Sequence, residues 1–295
     1  MSALPEAGGI NLPEAGGINL PEAGGIALPE AAGIAMPEPS GINQPEAGGA
    51  GRLEARGLSR RFGGLLAVAD VSLDLAPGQP HAVIGPNGAG KSTLIALLSG
   101  ALRPDRGTIR LDGADVTALP DWRRAAAGIG RAFQRTNVFP AMTVLENARL
   151  AAQGRVRGVA LLRAAAADRG LLDRARAALD RAGLAAFAAE PAGALGHGQL
   201  RLLEIALALA GDPRVLLLDE PLAGLGPEET GPVIALLRRL GETHAMLLVE
   251  HDMDVVFAVA AAITVMVDGR VLDRGPPAAI RASAAVRDAY LGHRA

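Results

Sequence analysis

The 295-residue sequence predicts an α/β fold built on a parallel sheet. Three observations carry that expectation. Val215–Leu218 and Met246–Val249 are apolar at every position, as strands covered on both faces must be. A helical stretch, Pro232–Leu240, separates them. The short run His81–Ile84 leads through a glycine-rich loop into a helix over Thr93–Ser99. Strands that alternate with helices make parallel sheets, because a parallel neighbour is reached only by a crossover.

The elements follow in order along the chain. Residues 1–51 are a tandem octapeptide, Leu-Pro-Glu-Ala-Gly-Gly-Ile-Asn at Leu4 and Leu12, with variants at Leu20, Leu28, Met36 and Gln44. A proline in each repeat forbids a continuous helix, and the few large apolar side chains bury too little to offset the entropy of ordering. A disordered tail is the expectation; a short solenoid or partner-binding arm is the alternative. From Arg52 the pattern changes. Leu53–Leu58 and Val68–Leu75 alternate as half-buried strands around a Gly63-Gly64 turn. Thr108–Leu111 is a strand closed by Asp112-Gly113. Ala160–Leu184 and Leu200–Ala210 read as helices. Ile263–Val267 and Arg270–Leu272 flank Asp268-Gly269, a two-residue hairpin signal. The strand-rich start and helix-rich middle are additions to the parallel core.

Composition excludes several function classes. The net charge is −2, so no basic surface is offered to nucleic acid. With no cysteine there is no disulfide framework, cysteine-ligated zinc, iron–sulfur cluster or thiol chemistry. The longest apolar run, Val255–Val267 (broken only by Thr264), is shorter than the roughly 20 residues a bilayer helix needs. The first residues lack the basic start and apolar core of a secretory signal, so a soluble intracellular chain is expected.

The chemistry concentrates in Gly85-Pro86-Asn87-Gly88-Ala89-Gly90-Lys91-Ser92, followed by Thr93. The pattern G-x-x-x-x-G-K-[ST] between a strand and a helix lets backbone N–H groups surround phosphate oxygens, with the helix N-terminus adding its positive end. Lys91 is the only lysine in the chain, which singles out a compact ammonium for the β- and γ-phosphates. Ser92 offers its hydroxyl to Mg²⁺. A guanine reader of the Asn-Lys-x-Asp type is excluded because no second lysine exists. Val215–Leu218 runs into Asp219-Glu220, with Asp219 placed to hold Mg²⁺ through water and Glu220 to polarise an attacking water. Two adjacent carboxylates at a buried strand end call for a cation between them and the phosphates.

Leu195-Gly196-His197-Gly198-Gln199, at the head of the helix ending at Ala210, resembles the signature of ATP-binding cassette (ABC) ATPases, and the order of the other motifs fits the same family. The resemblance covers everything from Arg52 onward. It implies a P-loop core with an antiparallel β subdomain, a helical subdomain at about 135–200 and a C-terminal extension at about 276–295. It implies ATP and Mg²⁺ as ligands, and a second ATPase subunit, identical or not, bound head to tail so that each signature closes on the other's γ-phosphate. Permease subunits follow as partners and, indirectly, a periplasmic or extracellular solute-binding protein. The resemblance puts the chain on the cytoplasmic face of the cell membrane. By position, Phe62 stacks on adenine, Gln134 senses Mg²⁺ and water, and His251 contacts the γ-phosphate. Lys91, Gln134, Glu220 and His251 carry hydrolysis, and Ser92, Gln134 and Asp219 hold the metal. Glu250 is structural, and His81, His244 and His293 are incidental. Gly196 stands where the family usually has serine, and Gly226 where many relatives have aspartate. The first departure predicts weaker closure, with the backbone N–H groups of Gly198 and its neighbours left to meet the phosphate, and the two together leave open a subunit that hydrolyses slowly or works beside a more competent partner. Arg60–Val68, Phe139–Asn147, the Gly-Leu-Gly-Pro run ending at Pro227, Val249–Phe257 and the Ala289-Tyr-Leu-Gly tail look like the ATPase of branched-chain amino acid importers. Urea and short-amide importers share much of that pattern, and a non-transport protein that only assembles on nucleotide is a further alternative. Residues 135–144 are expected against the permease.

Overall fold

The structure, a computed structural model, describes residues 51–132, 138–154 and 169–291, all within one compact unit spanning Ile42–Ala295. The octapeptide repeats, Gln134, residues 135–137, His293 and the first part of the helix expected from Ala160 lie outside the described residues.

In chain order, β1 (Leu53–Phe62) and β2 (Leu65–Leu75) form the expected hairpin across Gly63-Gly64, extended toward the turn from both sides. β3 (His81–Ile84) enters the glycine-rich loop, and α1 (Lys91–Ser99) leaves it. β4 (Arg106–Leu111) turns through Asp112 and Gly113, both at positive φ, into the two-residue β5 (Ala114–Asp115). α2 (Asp121–Ala127) and β6 (Ile129–Ala132) follow. α3 (Val144–Gln153) starts on a capping box in which Thr143 and Glu146 satisfy each other's backbone N–H. α4 (Arg169–Arg181) stops short of the expected Leu184, because Gly183 turns left-handed after it. α5 (His197–Ala210) precedes β7 (Val215–Asp219). α6 (Pro227–Thr243) is longer than the expected Pro232–Leu240. Pro227 sits at the first helical position, where no N–H is needed, and Pro232 is carried inside the helix. β8 (Ala245–Val249), α7 (Met253–Val259), β9 (Ala262–Val267), β10 (Arg270–Gly275), α8 (Pro277–Ala282) and α9 (Ala284–Leu291) complete the chain. The run Val255–Val267 is thus part of a helix followed by a strand, and no helix among the described residues is long and apolar enough to cross a membrane.

One sheet is antiparallel, in the order β2-β1-β4-β5. The other has the order β10-β9-β3-β8-β7-β6, parallel except for its β10 edge. The all-apolar runs explain themselves here. Val215, Leu217, Leu247 and Val249 face α1 and the antiparallel sheet, while Leu216, Leu218, Met246 and Leu248 face the helical side. α3, α4 and α5 share that second core through Ala148, Ala175 and Ala206 among others.

Two buried cations or bases brace this framework. Arg124 on α2 is 1% exposed and donates to the carbonyls of Leu97, Leu98, Thr117 and Leu119. His81 is 5% exposed, with Nε2 2.8 Å from Thr264 Oγ1, which also accepts from Arg274 Nε. Burial first, then the Arg274 charge, push the His81 pKa down to about 4. The folded state therefore keeps His81 neutral while the unfolded chain protonates it below about pH 6.5, so stability present above that pH falls as the pH drops toward 4. The span corresponds to about 3 kcal/mol at most, from about 1.4 kcal/mol per unit. Urea midpoints at pH 7 and pH 5 should differ less in His81→Gln than in the parent; equal slopes would assign the acid sensitivity to other groups.

Candidate functional site

Three neighbouring parallel strands deliver the site at their C-terminal ends, where open α/β sheets place ligands. β3 runs into residues 85–90, β7 ends on Asp219, and β8 runs into Glu250-His251. The register keeps them level, since Val83 and Asp219 both pair with Val249.

The loop after β3 is shaped by close backbone contacts. Gly85 has φ 150°, and a Cβ there would lie 2.0 Å from the Met266 carbonyl oxygen. Gly90 has φ 95°, and its Cβ would lie 2.2 Å from the Ala67 oxygen. Neither position accepts another residue without moving β9 or β2. The β9–β10 hairpin, whose Asp268 and Gly269 both take positive φ as the sequence predicts, braces the loop by donating from Gly269 N to Ala89 O. Pro86 is partly exposed, Asn87 and Gly88 are open to solvent, and Ala89 is buried. Ser92 is exposed at the head of α1, with Thr93 half-buried behind it. The first turn of α1 holds no acidic residue, so its positive end is uncompensated.

Lys91 is 7% exposed and folds back on the loop, donating to Gly85 O at 2.7 Å and Pro86 O at 3.0 Å. Burial pulls its ammonium below the ordinary lysine range, and the Glu220 and Asp219 carboxylates work against that pull. Asp219 is 5% exposed, and its Oδ1 is buried with no hydrogen-bond partner among the described residues. Arg131 stands 3.6 Å from the other oxygen and donates to Ser99 Oγ. Burial raises the Asp219 pKa, with Arg131 opposing. A buried carboxylate oxygen without a donor among the described residues, and the exposed Ser92 hydroxyl at the head of the helix that the phosphate loop enters, are hard oxygens of the kind that Mg²⁺ takes.

Glu220 takes a left-handed φ of 50°, uncommon for a side chain of this size, and donates its N–H to Val249 O at 2.9 Å. His251 is exposed, with Nδ1 3.9 Å from Glu220 Oε1 and 3.9 Å from Glu250 Oε2. Glu250, expected to be structural, is 1% exposed and accepts from Leu222 N and His251 N. It ties the turn after Glu220 to the one that carries His251. Burial raises the Glu250 pKa against those two donors.

Phe62 ends β1 exposed, with the Arg60 guanidinium 5.1 Å from its ring centre. Leu195 is buried, while Gly196 and His197 are exposed at the head of α5. Gly196 N donates to Gln199 Oε1 at 2.9 Å, and Gly198 N donates to Glu229 Oε1 at 3.0 Å. This corrects the expectation that the Gly198 N–H stands free: a carboxylate of the same chain occupies it. Sequence reasoning also passed over Arg131, although it lies in the same Arg-Ala-Phe-Gln stretch as Gln134, and Arg201, which reaches from α5 to the Ala223 carbonyl. Neither has a local pattern that announces its partner. His81 and His244 lie apart from these strand ends, in packing settings.

Residues 68–223 match the family described as ABC transporter. The chain is similar to the high-affinity branched-chain amino acid transport ATP-binding protein BraF of Pseudomonas aeruginosa, with 41% identity over 244 residues, 80% of this chain and 95% of that one. The ADP conformation of an ATP-binding cassette of an ABC transporter superposes with a TM-score of 0.73 at 27% identity, covering 82% of this chain and 99% of the other. A dimeric ATP-binding cassette in a post-hydrolysis state bound to ADP and Pi gives a TM-score of 0.65 at 27% identity, covering 76% and 98%.

Proposed function

This chain belongs to the ABC transporter family, and on that premise we propose that it is the Mg²⁺-dependent ATP-hydrolysing subunit of an importer for branched-chain amino acids. The observation that carries the catalytic reading is the lone lysine, held by the loop carbonyls at the C-terminal ends of the inner strands and within reach of the Glu220 and Asp219 charges, with a buried Asp219 oxygen left without a partner among the described residues. We assign residues 52–295 to the ATPase, with a helical subdomain at about 135–200, and residues 1–51 to a tail outside it.

The residues divide the work by chemistry. The 85–92 backbone and the head of α1 hold the phosphates, and Lys91 exchanges its loop carbonyls for β- and γ-phosphate oxygens. Phe62 gives the adenine an aromatic face. Ser92 and Asp219, with Gln134, would hold Mg²⁺, which when bound neutralises phosphate charge. Glu220 accepts a proton from the water that attacks the γ-phosphorus, and His251 donates to the γ-phosphate. The solute never meets these residues. Closure of two such subunits on ATP, each lending Leu195–Gln199 to the other, drives permease partners at the cytoplasmic face of the membrane, with a solute-binding protein delivering cargo outside.

Lys91→Ala removes a charge-assisted contact worth about 1.5–3 kcal/mol and should weaken ATP binding about ten- to a hundredfold in a fluorescent-nucleotide titration. The solute class is tested in proteoliposomes that hold the transporter and its binding protein. Leucine, isoleucine and valine should stimulate ATPase activity and urea should not. Stimulation by urea alone moves the assignment to an amide importer, and an assembled complex with no ATPase above the Lys91→Ala background makes the chain a nucleotide-gated assembly protein.

A further inference from the structure

The amino end of α5 is occupied by an anion that the chain itself supplies. Gly198 N donates to Glu229 Oε1 at 3.0 Å and Gly226 N donates to Glu229 Oε2 at 3.1 Å, so one carboxylate bridges the heads of α5 and α6. Negative groups gather at helix N-termini because unpaired N–H groups and the helix dipole meet there. Glycine at position 198 permits the approach: a Cβ would lie 3.1 Å from Glu229 Cβ and 3.3 Å from Oε1. The Gly226 and Gly198 N–H groups, with His197 nearby, hold the carboxyl below the usual glutamate range, so it is an anion at neutral pH. The same stretch of chain is gripped elsewhere. Between Glu220 and Glu229, Leu222 N is held by Glu250 and Ala223 O by Arg201.

We propose that Glu229 is a positioning residue that holds the head of α5 in the separated subunit and competes there with the γ-phosphate on a second subunit, setting the ATP concentration at which two subunits close. The proposal rests on the reading above that Leu195–Gln199 meets phosphate in trans. One N–H cannot serve both anions, and a carboxylate left beside the γ-phosphate repels it. Glu229 can release Gly198 and keep Gly226, so a change in one side chain is enough to free the site. With glycine at 196, no serine hydroxyl compensates for the blocked N–H. Closure is therefore more sensitive to this one competitor.

The experiment titrates Mg-ATP into Glu220→Gln protein, which retains nucleotide, and follows self-association by sedimentation. Adding Glu229→Gln removes the charge and keeps an acceptor for Gly226. The midpoint for dimer formation should fall about three- to fivefold, the scale of one charge at a helix end. The melting temperature should fall only slightly, by the scale of one charge at a helix end, since the amide oxygen still accepts from Gly226; a collapse of stability would assign any change in the midpoint to lost capping and overturn the proposal. A midpoint that is unchanged or raised in the double variant overturns the role of Glu229 while leaving the trans contact standing. A Glu220→Gln parent that stays monomeric at saturating Mg-ATP removes the trans contact, and the proposal with it.

Discussion

Glu220→Gln is expected to lower ATP hydrolysis by about 10²- to 10⁴-fold, the range for loss of a positioned general base, while ATP binding is kept. The backbone prepares this residue for proton transfer. Its left-handed φ turns the chain sharply at the end of β7, and its N–H is pinned to Val249 O, so the side chain stands at the strand ends near Lys91. Glutamine has the same shape and suits the same φ, so the fold should survive. It also removes one of two adjacent carboxylates, and the charge of Glu220 is among the influences that raise the Asp219 pKa. Thermal stability should hold or rise slightly. Single-turnover hydrolysis measured beside equilibrium ATP binding makes the test. Hydrolysis within tenfold of the parent would give the base role to another group, and a parallel loss of binding would point to Lys91 losing its favourable charge environment rather than to chemistry.

The parts of this architecture legible in the sequence are those set by local rules. Asp268-Gly269 predicts a two-residue hairpin because both positions must take positive φ, and they do. Gly85–Ser92 predicts a phosphate cradle because its spacing and flanks are local. Val215–Leu218 predicts a doubly covered strand because every residue is apolar, and the two faces enter different cores. Alanine-rich helices were harder to read. α2, with three consecutive alanines, has little contrast between its faces, and α7 merges with β9 into one apolar run whose periodicity does not separate helix from strand. Least legible were the partners. Glu229 lies 31 residues from Gly198, and only the packing of α5 beside α6 brings them together. From Leu195–Gln199 alone the signature donors read as free, yet Gly196 N and Gly198 N are both taken by side chains of the same chain, because a backbone N–H advertises nothing about its acceptor.

Arg124→Ala should destabilise the protein by about 3–5 kcal/mol, because several buried carbonyls lose a donor at about 1–3 kcal/mol each, although Arg124 touches no part of the site. Its guanidinium is sealed under α1, and burial pulls its pKa down to about 10, which leaves it charged at neutral pH. Two of its four acceptors, Leu97 O and Leu98 O, belong to the last turn of α1, where carbonyls lack the i+4 donor; Leu97 O also accepts from the capping Gly100 N–H at 3.4 Å. Arg124 thus satisfies the negative end of the helix whose positive end faces the phosphates. Truncation takes a donor from four carbonyls and leaves a cavity in its place. Lysine should not rescue it, because a single ammonium lacks the planar fork that reaches carbonyls on two segments, the end of α1 and the loop before α2. Trp122, the only tryptophan, lies two residues away and is 53% exposed, so its fluorescence reports the transition in urea. A loss under 1 kcal/mol would mean that solvent reaches those carbonyls. A loss of the expected size with ATP affinity unchanged in the folded fraction would show that the carboxyl end of α1 governs stability alone. A loss accompanied by weakened ATP binding would show that the register of α1, fixed by Arg124 at one end, sets the loop geometry at the other.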